Sequence, residues 1–500
     1  MGYNGRPSGG CENCRKVHKK CDQRKPECLR CIRTKRTCSG YRDQLNLLFR
    51  NETAKTKEKT QRQQKLVHSS IAARPLIDYF SISRSLLPSR EEIAICNFYH
   101  STVNNLSDED PTQYLHMQLP HLYSTCKLGS VLHLALEAIS YVASAKIIPQ
   151  ANQLGIDRYL QAVRALRETI MTEKKNSDVQ TLYGILLLCG YETGTGQSCI
   201  PSAWGNHVDG ALALMKLNAI SLDTPLSQGI FSFIQKNMVI KQMQICQPLD
   251  GVFSQGFTSI RTDPERRLIS LASGIPELQY HSIDLEQLEI TEIERLSHKA
   301  NALSVKLSTW ASTISPSWHY VTALKINDGA SSEYSPCIIH KYRHHYIGRV
   351  WNFYRVSQLI LQSIRLRAAA FLPAATSHIE NAQKITALVD DICATVPYLL
   401  GADLDKMNLN FTVKSTRQNP RRKPSSGANS IGVAEVKGFS LIWPLYVASS
   451  ASQIPQAQRV WMRKQLHLLA ENGVPMAQTV CTIESQMLLG KPEKFVFDCV

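Results

Sequence analysis

The sequence predicts a mainly α-helical chain, with a small cysteine-rich module at the N-terminus and a large all-helical region behind it. Three observations carry this prediction. Six of the 15 cysteines fall between Cys11 and Cys38. From about Pro75 onward, apolar residues recur at helical spacing with charges between them. Alternating, strand-like patterns are scarce. A hydrophobic fraction of 43% in 500 residues supplies a sizeable core, and charged residues make up only 20%. That balance excludes a chain disordered throughout by charge.

Taken in order, residues 1–10 are Gly-rich and read as a disordered N-terminus. Residues 11–40 are the cysteine module. Residues 41–74, dense in Lys, Gln, Thr and Arg, read as a basic polar linker. Residues 75–500 form the helical region. Within it, residues Ile156–Met171 place Ile156, Tyr159, Leu160, Val163, Leu166 and Ile170 on one helical period. Residues Glu91–Val103, Val131–Ala145, Val179–Tyr191, Ala203–Leu217 and Gln456–Glu471 read similarly. Pro149, Pro225 and Pro455 fall between candidate helices, and Asn472-Gly473 reads as a helix stop. Residues 412–431, with Arg421-Arg422-Lys423 followed by Ser, Gly and Asn, read as a mobile loop. There is no long internal repeat. Leu45, Leu48 and Leu66 are too few and too irregular for a coiled coil after the module.

The formal net charge is +16 and the pI about 9.2. Residues 1–70 hold 18 Lys and Arg against 6 Asp and Glu, so 12 of the 16 excess charges sit in one seventh of the chain. A basic head on a nearly neutral body points to a polyanionic partner for the head. The N-terminus has no apolar signal core, and no apolar run approaches the length of a bilayer span, so no membrane partner is expected. The nine cysteines outside the module (Cys96, Cys126, Cys189, Cys199, Cys246, Cys337, Cys393, Cys481 and Cys499) lack paired spacing and read as buried small hydrophobes in a reducing compartment.

The module reads Cys11-x2-Cys14-x6-Cys21-x6-Cys28-x2-Cys31-x6-Cys38, two halves of one pattern. Thiolates suit zinc, which takes four in a tetrahedron. Six cysteines satisfy two zinc ions only if two sulfurs are shared, so the arithmetic favours a binuclear cluster with two Zn2+ per chain. Spacing alone leaves open which pair bridges. Each C-x2-C pair puts two sulfurs at a helix start, and Lys25-Pro26 supplies a rigid turn between the halves. So small a module draws its folding energy from the metal.

These residues, with the basic run Arg15-Lys16-Val17-His18-Lys19-Lys20 and the ending Cys38-Ser39-Gly40-Tyr41, resemble the fungal binuclear zinc-cluster (Zn2-C6) family. The resemblance implies that Cys11 and Cys28 are the bridging ligands. It also implies that the first helix enters the major groove of double-stranded DNA and reads a short G/C-rich triplet. The expected DNA contacts are Arg15, Lys16, His18, Lys19 and Lys20, with Arg30, Arg33, Lys35 and Arg36 on phosphates. Many members carry a pair of basic residues where this chain has Val17 and His18, which puts the triplet preference in question.

Phe98-Tyr99, Leu106-Ser107, Ala165-Leu166, Tyr191-Glu192 and Trp204-x2-His207-x2-Gly210-Ala211 resemble the helical regulatory region found behind such clusters. The resemblance implies an effector, dimerisation or ligand-sensing role. The resulting expectation is a nuclear, sequence-specific transcription regulator acting on RNA polymerase II promoters. Self-association through the helical region and co-regulators are the other expected partners. The alternative is a zinc-module protein-interaction scaffold. No enzyme is expected, because no catalytic constellation is visible. His340, His344 and His345 read as a surface or partner-facing helix rather than a metal site. Gly194-x-Gly196-x2-Cys199 reads as a loop. His207 with Trp204 reads as a core or helix-face pair, and Trp443 and Trp461 as core aromatics.

Overall fold

The computed structural model describes residues 10–41, 88–103, 111–172, 179–195, 201–218, 223–251, 263–325, 334–372, 376–402, 404, 407, 409–411, 431–472 and 474–493. The expected disordered N-terminus before residue 10, nearly all of the 41–74 linker and the 412–431 loop before Ile431 lie outside these residues, as do Cys199 and Cys499. The chain divides into two compact units, Met1–Leu87 and Pro88–Val500.

In the first unit, helix α1 (Glu12–Lys16) and helix α2 (Leu29–Arg33) repeat one design. Each starts on a cysteine N-cap whose sulfur accepts the N–H of the cysteine three residues on: Cys14 N to Cys11 Sγ at 3.5 Å and Cys31 N to Cys28 Sγ at 3.4 Å. Each ends in a left-handed residue, His18 with φ 49° and Lys35 with φ 50°. The amides that follow turn back onto the helices, Lys19 N to Cys14 O at 3.0 Å and Arg36 N to Cys31 O at 2.9 Å. The two halves of the sequence pattern are therefore two copies of one local fold.

The second unit is helical, as the periodicity predicts. Helices α3 (Arg90–Val103), α4 (Pro111–Thr125), α5 (Val131–Ala143), α6 (Ala151–Thr172), α7 (Val179–Thr195), α8 (Pro201–Asn218) and α9 (Pro225–Ile245) come first. Their starts carry the expected chemistry. Ser89 and Glu92 form a reciprocal capping box on α3. Ser130 caps α5, and Thr224 caps α9 with Pro225 in its first turn. Then follow α10 (Pro264–Ala272), α11 (Ile275–His281), α12 (Ile290–Thr313), α13 (His345–Ala369), α14 (Thr376–Leu399), α15 (Ile431–Ser449), α16 (Gln456–Glu471) and α17 (Pro475–Val480). Asn472 is the C-cap of α16, at the predicted stop.

Among the described residues these helices bury two large cores and a smaller cluster of Ala94, Tyr141, Ile148 and Ala151. Leu132, Leu136, Leu182, Leu188 and Val208 belong to the first, and Leu307, Val356, Leu359, Leu445 and Leu466 to the second. Helix α9 feeds both, with Ile230, Phe231 and Ile234 in the first and Val239 and Met243 in the second. The helical unit also contains a small antiparallel sheet of order β2-β1-β3, formed by β1 (Val321–Lys325), β2 (Ile338–Lys341) and β3 (Leu409–Phe411), where the sequence predicts only helices. Its strands are three to five residues long, too short for a period-2 signal to register.

The three histidines do not form the expected surface helix. His340 does not share a helix with its neighbours. It lies on β2, is 2% exposed, and its Nδ1 sits 3.2 Å from Arg355 Nη2. His344 is the N-cap of α13 and His345 its first residue. Burial, then the Arg355 charge, pushes the His340 pKa down to about 3. Arg355, itself buried, donates to Tyr342 Oη at 2.9 Å and Asn352 Oδ1 at 3.0 Å and lies over the Tyr320 ring. Gly194 belongs to the last turn of α7 rather than a loop. Cys189, Cys246, Cys393 and Cys481 are buried and outside disulfides, but Cys96 and Cys337 are exposed.

Candidate metal centre and nucleic-acid interface

The six module cysteines converge. Cys11, Cys14, Cys21 and Cys28 form one group with sulfurs within 4.8 Å of one another, and Cys11, Cys28, Cys31 and Cys38 form a second. Two members, Cys11 and Cys28, belong to both groups, with sulfurs 3.7 Å apart. Cys11 Sγ is 3.8 Å from Cys31 Sγ, and Cys14 Sγ is 3.8 Å from Cys28 Sγ. Both shared sulfurs are helix N-caps and both residues are fully buried. Cys21 and Cys38 lie half-exposed at the outer ends.

The donor set fits two zinc ions. Sulfurs packed this closely carry negative charge together only beside cations. Burial first, then the neighbouring thiols, raises the pKa of Cys14, while for Cys31 the Cys28 thiol contributes most. Two tetrahedral cations need eight thiolate positions, and two overlapping groups of four supply them. Hydrogen bonds hold the frame around the sulfurs. Asn13 Nδ2 donates to Thr37 O at 2.7 Å, and Ser39 Oγ donates to Asn13 Oδ1 at 2.9 Å. Asp22 Oδ2 accepts the Leu29 N–H at 3.1 Å, and Tyr41 Oη donates to Arg24 O at 2.7 Å. The Leu29 N–H holds the Asp22 carboxyl below the ordinary carboxylate range. Gly40, at φ 79°, accepts the Glu12 N–H and closes the module on itself. The peptide bond before Pro26 is cis.

The basic side chains surround this frame. Lys16, His18, Lys19, Lys20, Arg30, Arg33, Lys35 and Arg36 are exposed, and Arg15 is half-buried. Lys16 pairs with Glu12 one turn earlier at 3.6 Å, so part of its charge is spoken for. Arg15 Nε is buried without a hydrogen-bond partner among the described residues. The left-handed turn at His18 ends α1 and starts the exposed run of Lys19 and Lys20, and the turn at Lys35 does the same before Arg36. Asn13 and Asp22 carry no signal in the sequence beyond being polar residues beside ligand positions, whereas Tyr41 stands in the motif ending Cys38-Ser39-Gly40-Tyr41 without an expected role there.

Residues 9–47 match the fungal Zn(2)-Cys(6) binuclear cluster domain, and residues 75–243 match the fungal specific transcription factor domain. The chain therefore carries one region similar to each of these two fungal families. The transcription factor dbaG of Emericella nidulans is 25% identical over 180 residues, which cover 35% of this chain and 40% of that protein. White-opaque regulator 2 of Candida albicans is 56% identical over 34 residues, covering 7% of this chain and 8% of that one. A transcriptional regulatory protein of Schizosaccharomyces pombe is 56% identical over 36 residues, or 7% of each chain. The chain thus spans less than half the length of each relative it matches. No solved structure matches it. A domain of this family holds two zinc ions, and the six convergent cysteines are arranged for them. Among the described residues no helix is long and apolar enough to cross a membrane.

The other polar clusters lie in the helical unit. His207 Nε2 is 2.8 Å from Glu192 Oε1, which also accepts the Tyr159 hydroxyl. His207 is therefore part of a helix-face network linking α6, α7 and α8. Trp443 and Trp461 are partly buried against the second core.

Proposed function

We propose that this chain is a nuclear regulator of transcription that binds double-stranded DNA in a sequence-specific way. Cys11, Cys14, Cys21, Cys28, Cys31 and Cys38 ligate two Zn2+, with Cys11 and Cys28 bridging. The observation that carries the reading is the pair of four-thiol groups overlapping at two buried cysteines, with an exposed basic run beside them. Zinc supplies charge neutralisation and the cross-links that a 30-residue core cannot obtain from apolar burial.

Around the cluster, Arg15, Lys16, His18, Lys19 and Lys20 face the major groove, and Arg30, Arg33, Lys35 and Arg36 neutralise phosphates. His18 contacts a base edge through its imidazole. Lys19 and Lys20 supply the standing charge. The helical unit serves as the effector and self-association region, where co-regulators bind.

The test is metal content and DNA selection on the full chain. Two zinc ions per chain and enrichment of short G/C-rich triplets from a random DNA pool are the expected results. Replacing Cys14 with Ser lowers zinc below two and removes the selection. One zinc per chain, or a pool with no enriched sequence, overturns the reading.

A further inference from the structure

The helical period of α6 carries more apolar side chains than its own core uses. Ala151, Gly155 and Ala162 are buried, and Tyr159 and Leu166 are half-buried. Helix α6 packs against α5 and touches α7. Its opposite side faces solvent, yet that side carries Leu160 (46% exposed), Val163 (36%), Ile170 (44%) and Met171 (71%). Leu160 and Val163 are three residues apart, and Ile170 and Met171 lie seven and eight residues beyond Val163 on the same side of the helix, with the exposed Arg167 between them. A stripe of this kind on an outer helix marks an interaction face.

The charges beside the stripe indicate what covers it. Asp157 and Arg164 are both exposed and lie seven residues apart on the same flank. Arg164 makes no ion pair among the described residues. In an isologous pair related by a two-fold axis, each flank meets its own copy in antiparallel order. With the axis passing between Leu160 and Gln161, Asp157 of each chain falls opposite Arg164 of the other. The two Leu160 side chains then meet at the axis, and Val163 lies beside Ile156 of the second copy. Arg167 and Glu168 fall opposite the uncharged Leu154 and Gln153, so no like charges are opposed.

We infer that the outer face of α6 is a self-association surface that pairs antiparallel with α6 of a second copy, using Leu160 at the axis and two Asp157–Arg164 ion pairs. This deepens the reading of the chain as a self-associating regulator and rests on it. One helix pair about 33 Å long buries less than the roughly 800 Å² per partner of a standard interface. The association is therefore weak and reversible.

Sedimentation equilibrium of the full, zinc-loaded chain at concentrations up to about 100 μM tests the inference. The wild type is expected to shift reversibly from one chain to two. Asp157→Arg and Arg164→Asp each weaken the dimer about tenfold or more, and the double swap restores it, because the pairs re-form with reversed polarity. Leu160→Glu also weakens it. Circular dichroism confirms that each variant keeps its helix content, and the exposed positions make unfolding unexpected. Binding to a DNA duplex with a single triplet, measured on the same samples, stays at the wild-type level. A wild type that stays monomeric, as it would if the face instead held an acidic peptide, overturns the inference. So does a dimer that neither single swap weakens, or a double swap that does not recover. Loss of DNA binding with the dimer intact would instead count against the regulator reading alone.

Discussion

Asn13 is the side chain through which the first zinc half-site is tied to the end of the module, because its amide both donates to Thr37 O and accepts from Ser39. Asn13→Ala removes both bonds and is expected to destabilise the module by about 1 kcal/mol. A chelator competition reads the loss as faster release of zinc. His340 works in the opposite direction, as a buried group that must stay neutral. Its pKa in the fold is about 3, against an ordinary 6.5. The unfolded chain therefore binds the additional proton between these values, so this histidine makes stability fall as pH drops from about 6.5 toward 3. Arg355, Tyr320, Tyr342 and Asp391 face the ring. The Asp391 carboxyl, raised chiefly by burial, contributes the opposite slope at lower pH. His340→Gln is expected to flatten the fall in melting temperature across that window. An unchanged pH profile would exclude His340 as its source.

At the scale of elements, the crossing of α7 over α5 depends on Gly184. A Cβ there would lie 2.8 Å from Val131 Cγ1 and 3.0 Å from the backbone N of Leu132. Because backbone cannot give way as a side-chain end can, Gly184→Val is expected to cost about 1–3 kcal/mol, measured by denaturant unfolding of the full chain. The helices themselves were legible in the sequence; this contact was not. A glycine inside a helical pattern reads as tolerated until the neighbouring helix is placed. The same holds for α6, where the period that predicts a helix cannot say how much of its apolar stripe faces the core. In the zinc module, the two half-sites share their local fold but not their predicted duties. Lys35→Ala removes one expected phosphate contact, so it should lower the salt slope of DNA binding by about 1 and leave the selected triplet unchanged. A changed triplet would mean that Lys35 reads bases.

For the whole molecule, folding is divided between two energy sources. The first unit draws on metal, and the second on two apolar cores that share α9. Chelation is therefore expected to abolish DNA binding while far-UV circular dichroism keeps most of its helical signal. Nearly all the described helix lies in Pro88–Val500. A large loss of helicity on chelation would mean that the helical unit depends on the cluster for its fold.

The spacing of six cysteines, the charge bias of the first seventy residues and the helical period by themselves determined a metal-organised head and a helical body. Ligand chemistry and helical repeat are local properties, written into short stretches of chain. Tertiary structure brought Cys11 and Cys28, the pair that the family resemblance implied and that spacing left open, into both groups. It also buried His340 on a strand under Arg355, set Gly184 at a helix crossing, and left one side of α6 to solvent. Each of those depends on residues distant in sequence meeting in space, where burial and shared neighbours, not spacing along the chain, fix what a side chain does.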